Sequence, residues 1–198
     1  MKKIFIASTN KGKISEIRSY LVPMGYELFS LLDNPGINDI EETGSTFEEN
    51  ALIKAKAVFD VVKIPVLADD SGLEVDLLGG RPGVYSARYS GEGATDEKNI
   101  TKLLNELGDN ELKKRSARFR CVIALYDGMN ERLFDGVCEG NITFHPKGTD
   151  GFGYDPVFMP IGYQQSFSEL GIDVKNTISH RGKALASLVK FLELENTM

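Results

Sequence analysis

The chain has 198 residues, 41% hydrophobic and 26% charged, a composition that describes a folded globular chain with room for a substantial core and excludes a disordered one. Its formal net charge of −6 argues against a surface built for a nucleic-acid polymer. Any positive charge used on phosphates must therefore be concentrated locally.

The N-terminal Met1-Lys2-Lys3-Ile4-Phe5-Ile6-Ala7-Ser8 imitates the start of a signal peptide, but its apolar stretch is too short and Thr9-Asn10-Lys11 ends it. No run approaches the ~18 apolar residues of a membrane span. Ile4 to Ser8 reads as a buried strand, Thr9 to Gly12 as a turn, and Lys13 to Val22 as a helix with Ile14, Ile17, Leu21 and Val22 on one face. Pro23 and Gly25 stop it, Tyr26 to Leu32 resumes as strand, and Asp33 to Gly44 is a loop. Ser45-Thr46-Phe47-Glu48 has the capping-box pattern and opens a helix to about Val62, with Phe47, Ala51, Ala55, Val58 and Phe59 inward. A strand after Pro65 ends at Asp69-Asp70, followed by a short Leu73 to Val75 segment and a Gly79 to Gly83 turn. Thr95 caps a helix to about Leu107; Ala117 to Tyr126 and Arg132 to Phe144 are strands. Lys147 to Pro156 is a glycine-rich loop, and Val157 to Met159 a short strand. A last helix starts near His180 and ends by Glu195, with Ala184, Leu185, Leu188, Val189 and Leu192 inward. With no repeat or linker, residues 1–198 read as a single domain with a mixed-sheet α/β fold. Cys121 and Cys138 lie in apolar segments without metal-ligand spacing and read as buried reduced thiols, which suits a cytoplasmic location.

Five constellations could carry chemistry. In Val66-Leu67-Ala68-Asp69-Asp70-Ser71-Gly72 an apolar strand empties into two adjacent carboxylates, whose repulsion a cation would relieve. Asp, Ser and Gly also make an ordinary turn. Ser8-Thr9-Asn10-Lys11-Gly12-Lys13 lies between a strand and a helix N-terminus, where backbone N–H groups and the helix dipole attract anions; a plain turn with solvated lysines fits equally well. Glu41 and Glu42 precede the next helix, as dipole-complementing acids or as partners of Asp70 around Mg²⁺, and Lys54 on that helix either faces phosphates or is solvated. Gly148-Thr149-Asp150-Gly151-Phe152-Gly153-Tyr154-Asp155-Pro156 offers an aromatic face and a fixed carboxylate to a base, or simply buries its own aromatics. Finally, Lys175-Asn176-Thr177-Ile178-Ser179-His180-Arg181 gathers cations at a helix N-terminus, against the dipole, unless a ligand compensates them.

Together these segments resemble the inosine triphosphate pyrophosphatase family, the XTP/dITP diphosphatases. Leu78-Gly79-Gly80-Arg81-Pro82-Gly83-Val84-Tyr85-Ser86-Ala87-Arg88-Tyr89 matches as well, and the motifs stand in the family's order over nearly the whole chain. The resemblance implies an elongated mixed β-sheet flanked by helices, two lobes around a central nucleotide cleft, and a homodimer. It implies Mg²⁺-dependent hydrolysis of dITP, ITP and XTP to the monophosphate and pyrophosphate. Asp70 would be the catalytic base, with Asp69 as its alternative, and Asp70 with Glu41 or Glu42 would hold Mg²⁺. Ser8, Thr9, Asn10, Lys11, Gly12, Lys13, Lys54, Ser71 and Lys175 would grip the triphosphate and sugar. Phe152, with Gly153 and Tyr154 in its loop, would stack on the base, and Asp155, His180 and Arg181 would read its edge. The alternatives are a septum-inhibitor-like pyrophosphatase acting on modified pyrimidines, which the Phe152 and His180 motifs oppose, and a non-hydrolysing nucleotide sensor, which would have no use for the carboxylates.

Overall fold

The computed structural model describes residues 2–34, 36–37 and 40–195. Met1 of the N-terminal stretch and Pro35, Asn38 and Asp39 of the Asp33 to Gly44 loop lie outside them. The strands are β1 (Lys3–Ile6), β2 (Glu27–Ser30), β3 (Val66–Val75), β4 (Ser116–Tyr126), β5 (Glu131–Ile142) and β6 (Phe158–Pro160), in the order β2-β1-β3-β4-β5-β6. β1 runs parallel to β2, with Ile4 opposite Leu28, and parallel to β3, with Phe5 opposite Val66. β5 and β6 are antiparallel, with Asn141 opposite Met159, so the sheet is mixed as expected. The helices are α1 (Lys11–Leu21), α2 (Phe47–Val62), α3 (Asp96–Leu107), α4 (Phe167–Leu170), α5 (Ile172–Ile178) and α6 (His180–Glu195). Among the described residues no helix is long and apolar enough to cross a membrane.

By its contacts the chain divides into two compact units. The first holds Met1–Asp70, Cys121–Gly136 and Arg181–Met198. Its core sets Ile4 and Ile6 of β1, Leu67 of β3 and Cys121, Ile123 and Leu125 of β4 against Ile14, Ile17 and Leu21 of α1 and Ala184, Leu185, Leu188 and Leu192 of α6. Every second strand residue faces those helices. Val66 and Ala68 turn to the other face and are buried too, as are Phe47, Ala51, Ala55 and Val58 of α2. A strand covered on both faces reads as a continuous apolar run, which is why Val66 to Ala68 shows no alternation. Each such fully buried aliphatic side chain contributes about 1.5–3 kcal/mol.

The second unit holds Ser71–Arg120 and Val137–His180. Its core gathers Leu73 and Val75 of β3, Ile100, Leu103 and Leu107 of α3, Phe119, Cys138, Ile142, Tyr154, Val157, Phe158 and Phe167. Asn99 of α3 fixes the turn after Arg81: its amide donates to the Ser86 and Ala87 carbonyls at 3.3 and 3.1 Å, and its oxygen accepts from the Ser90 N–H at 2.7 Å.

Several boundaries differ from the sequence reading. β3 does not end at Asp70 but runs on to Val75, because Leu73 and Val75 are fully buried and their packing overrides the turn preference of Ser71-Gly72. α1 starts at Lys11, with Asn10 as its cap. The capping box of α2 is shifted by one: Thr46 Oγ1 accepts from the Glu49 N–H at 3.1 Å while Glu49 Oε2 accepts from the Ser45 N–H at 2.7 Å. Val22 is 54% exposed as the α1 cap, and the 3₁₀ turn Gly83–Arg88 and helices α4 and α5 stand where no helix was expected.

Candidate functional site

In the first unit the two acids part company. Consecutive strand residues point to opposite faces, and with β3 unbroken Asp69 follows Leu67 toward α1 and α6 while Asp70 turns toward α2. They are not a repelling pair at a strand end. Asp69 Oδ2 accepts from Arg181 Nη2 at 3.1 Å and Nε at 3.3 Å, and Lys13 Nζ stands 3.0 Å away. Arg181 Nη1 donates to Glu16 Oε2 at 2.7 Å. Burial opposes ionisation of Asp69, yet Lys13, Arg181 and Lys54 outweigh it and hold its carboxyl far below the usual range. Arg181 is buried as well; desolvation acts against its charge, but Asp69 and Glu16 raise its affinity for the proton. Arg181, expected at a base edge, thus pairs with two carboxylates of this unit.

Asp70 has a different environment. Its Oδ2 accepts from Asn50 Nδ2 at 3.1 Å, and Lys54 Nζ lies 3.6 Å from its Oδ1. Lys54 Nζ donates to Glu42 Oε1 at 2.6 Å and to the Asp69 carbonyl at 2.7 Å. Burial raises the Asp70 pKa, Lys54 opposes this, and Glu42 adds to it; the net shift is upward. Lys54 itself is held charged, because Asp70, Asp69 and Glu42 overcome its desolvation. Asn50 Oδ1 accepts from the Gly44 N–H at 2.8 Å, and a Cβ at Gly44 would run into Asn50 and Glu49. Asn50 therefore pins the turn that carries Glu42 and also holds Asp70. Sequence reading passed over Asn50 and Glu16; their trace is a polar residue on the inward stripe of an amphipathic helix.

At the start of α1, Asn10 Oδ1 accepts from the Lys13 N–H at 3.1 Å and Ser8 Oγ from the Asn10 N–H at 3.1 Å. Thr9 and Lys11 are exposed, Ser8, Gly12 and Lys13 half-buried, and no acid stands in the first helical turn. Ser71 is half-buried in β3 after Asp70.

The donors around Asp70 suit a hard divalent cation. Among the described residues, Lys13, Lys54 and Arg181 pair with the carboxylates of Glu16, Glu42, Asp69 and Asp70, and Glu42 and Asp70 meet at Lys54. Among the described residues no three His, Cys, Asp or Glu side chains form a metal cage. Mg²⁺ needs none, since it binds through one or two carboxylates together with substrate phosphates. Glu41 is exposed, whereas Glu42 sits at Lys54.

In the second unit Lys175 Nζ donates to Asp155 Oδ2 at 2.6 Å, both side chains being buried, and lies 4.5 Å from the centre of the Phe152 ring. The Phe152 N–H donates to the same Asp155 oxygen at 2.9 Å. Lys175, expected on the triphosphate, and Asp155, expected at a base edge, thus pair with each other beneath Phe152. Tyr154 is buried and donates its O–H to the Ser86 carbonyl at 2.9 Å, and the Gly153 N–H donates to Asp96. His180 stacks on Phe119 with centroids 4.7 Å apart and planes at 11°.

The Ham1 family model matches residues 4–191. The chain is 53% identical over 194 residues to the dITP/XTP pyrophosphatase of Halalkalibacterium halodurans, across 98% of this chain and 100% of that one. It is 50% identical to the dITP/XTP pyrophosphatase of Bacillus subtilis, across 98% of each chain. The solved Ham1 protein of Staphylococcus aureus superposes with a TM-score of 0.89 at 44% identity, covering 98% of this chain and 100% of that one. The HAM1 protein of Coxiella burnetii does so at 0.89 and 42%, covering 98% and 99%. With a full-length match in sequence and in mixed α/β fold, the chain belongs to the Ham1 family.

Proposed function

We propose that this protein hydrolyses the triphosphates of deaminated purine nucleosides, dITP, ITP and XTP, to the nucleoside monophosphate and pyrophosphate, removing them from the nucleotide pool. The observation that carries it is Asp70, the proposed base: a buried carboxylate held by Asn50 and facing Lys54, in a chain half identical to enzymes named for dITP and XTP. Asp69 is the poorer candidate for that role, because Lys13 and Arg181 are already paired with it.

Water attacks the α-phosphorus, its proton passes to Asp70, and the bond from that phosphorus to the pyrophosphate oxygen breaks. Lys13, Lys54 and the N–H groups opening α1 bind the charged phosphates. Glu42 and Asp70 would hold Mg²⁺, which when bound offsets charge on the phosphates. Lys13 is partly accessible and supplies its charge from within an ion pair. In the second unit Phe152 offers the base a ring, and His180 a buried imidazole fixed by its stack on Phe119. A site built around a 6-keto oxygen leaves adenine's amino group without a partner and rejects it strongly. A homodimer and a cytoplasmic location go with this proposal; the first rests on the family resemblance, the second on the two buried thiols, Cys121 and Cys138.

The test is pyrophosphate release from dITP, dATP and dGTP, with Mg²⁺ and after chelation. Release from dITP far above the other two, and lost on chelation, is expected. Equal rates on all three would overturn the substrate assignment, and full activity after chelation the metal.

A further inference from the structure

Phe152 sits at the tip of its segment between two glycines in the left-handed region, Gly151 at φ +87° and Gly153 at φ +60°. Glycines lose the most conformational freedom when fixed, so a ring carried between two of them needs ties to stay in one place. Carboxylates tie two successive amides: the Phe152 N–H to Asp155 Oδ2 at 2.9 Å and the Gly153 N–H to Asp96 Oδ2 at 2.7 Å. The two ties differ in origin. Asp155 lies three residues further along the same segment and is itself held by Lys175 of α5. Asp96 stands in the first turn of α3, a helix anchored by the burial of Ile100, Leu103 and Leu107 in the core of the second unit.

We propose that Asp96 is a positioning residue for base recognition: it docks the tip onto α3 and so sets where the Phe152 ring is offered. The proposal rests on the reading of Phe152 as the platform for the base. An acid in the first turn of a helix also complements the helix dipole, and a test must separate the two roles. Thr95 provides the control. Its Oγ1 caps the same helix by accepting from the Lys98 N–H at 3.2 Å, so Thr95→Ala weakens α3 without removing the Gly153 contact.

KM and kcat for dITP are measured in Asp96→Ala, Asp96→Asn, Thr95→Ala and Phe152→Ala, together with hydrogen exchange of a peptide spanning the tip. Loss of a hydrogen bond to a charged acceptor predicts that Asp96→Ala raises KM about tenfold, with kcat within about twofold of the parent. Asp96→Asn, which keeps an acceptor oxygen, recovers most of the loss. Exchange at the tip accelerates in Asp96→Ala, and Thr95→Ala leaves KM unchanged. An unchanged KM and unchanged exchange in Asp96→Ala overturn the proposal, as does an equal rise of KM in Thr95→Ala. If Phe152→Ala leaves KM for dITP unchanged, the platform reading itself fails. If it raises KM while Asp96→Ala does not, the Asp96 assignment alone falls.

Discussion

Asp69 and Asp70 are neighbours in β3 that should respond in opposite ways to the same change, carboxylate to amide. Asp70 carries a raised pKa from burial and from Glu42, only partly countered by Lys54, so the fold disfavours its charge. Asp70→Asn removes that charge and leaves a carbonyl oxygen able to accept from Asn50. The metal-free protein should therefore melt at the parent temperature or slightly above. Turnover of dITP should fall by ~10²–10⁴-fold, the usual effect of losing a positioned base. Asp69 is the reverse: burial works against its charge, but Lys13 at 3.0 Å and Arg181 at 3.1 Å win. Asp69→Asn strips the buried Arg181 and the half-buried Lys13 of their shared anion, a loss that for a buried pair typically costs about 3–5 kcal/mol. For a chain of 198 residues, at roughly 2–4 °C per kcal/mol, this lowers Tm by roughly 6–20 °C. Thermal melts by circular dichroism in chelator, paired with pyrophosphate release from dITP, read both quantities. Equal melting temperatures for the two variants would refute the opposite-face account of these residues. So would an Asp70→Asn protein that melts many degrees lower while still turning over.

The same pair predicts the pH dependence of stability. Asp69, with its folded pKa lowered, stabilises the fold fully above the ordinary value of ~3.9 and loses that contribution as pH falls through the folded value. Denaturant titrations should therefore show the parent weakening below about pH 4, with that component missing in Asp69→Asn. Asp70, with its folded pKa raised, favours the fold fully below ~3.9 and loses that advantage as pH rises through the folded value, so Asp70→Asn should gain on the parent as pH rises. In the second unit, Lys175→Met leaves the buried Asp155 carboxylate without its counter-ion and should cost about 3–5 kcal/mol in urea titrations. Asp155→Asn added to Lys175→Met should recover part of this, and an additive further loss would count against a buried charge pair.

Much of the fold was legible because burial follows period. α2, α3 and α6 stand within a residue or two of their expected spans, each carrying an apolar stripe at helical spacing; Thr95 announces α3 as its cap, and the cap of α2 stands one residue past the Ser45 of the expected box. The extension of β3 was not legible. Ser71 and Gly72 are turn formers, and only the core around Leu73 and Val75, assembled from residues distant in the chain, draws them into a strand. Gly83–Arg88, α4 and α5 were missed for a related reason. They are short, glycine-bounded pieces whose hydrogen bonds and packing partners lie elsewhere, such as Asn99 and Tyr154 on Ser86.

The residues of the site were more legible than their partners. Motif spacing identifies Lys13, Lys54, Asp69, Asp70, Asp155, Lys175 and Arg181 as chemistry-bearing, but not which charge neutralises which. That depends on the face each one takes, and for Asp69 and Asp70 the face was fixed only by whether the strand continued past them. Once it does, alternation sends Asp69 to the α1 and α6 side, where Glu16 takes up the rest of Arg181, and Asp70 to the α2 side with Asn50. A buried charge cannot be left unpaired, so Glu16 and Asn50 follow from Arg181 and Asp70 as consequences. Both had a readable trace, a polar residue among inward-facing positions, Glu16 beside Ile14 and Ile17 and Asn50 beside Phe47 and Ala51. A polar side chain on a stripe that buries its neighbours must meet a partner inside the protein: Arg181 for Glu16, and for Asn50 the Asp70 of the proposed chemistry.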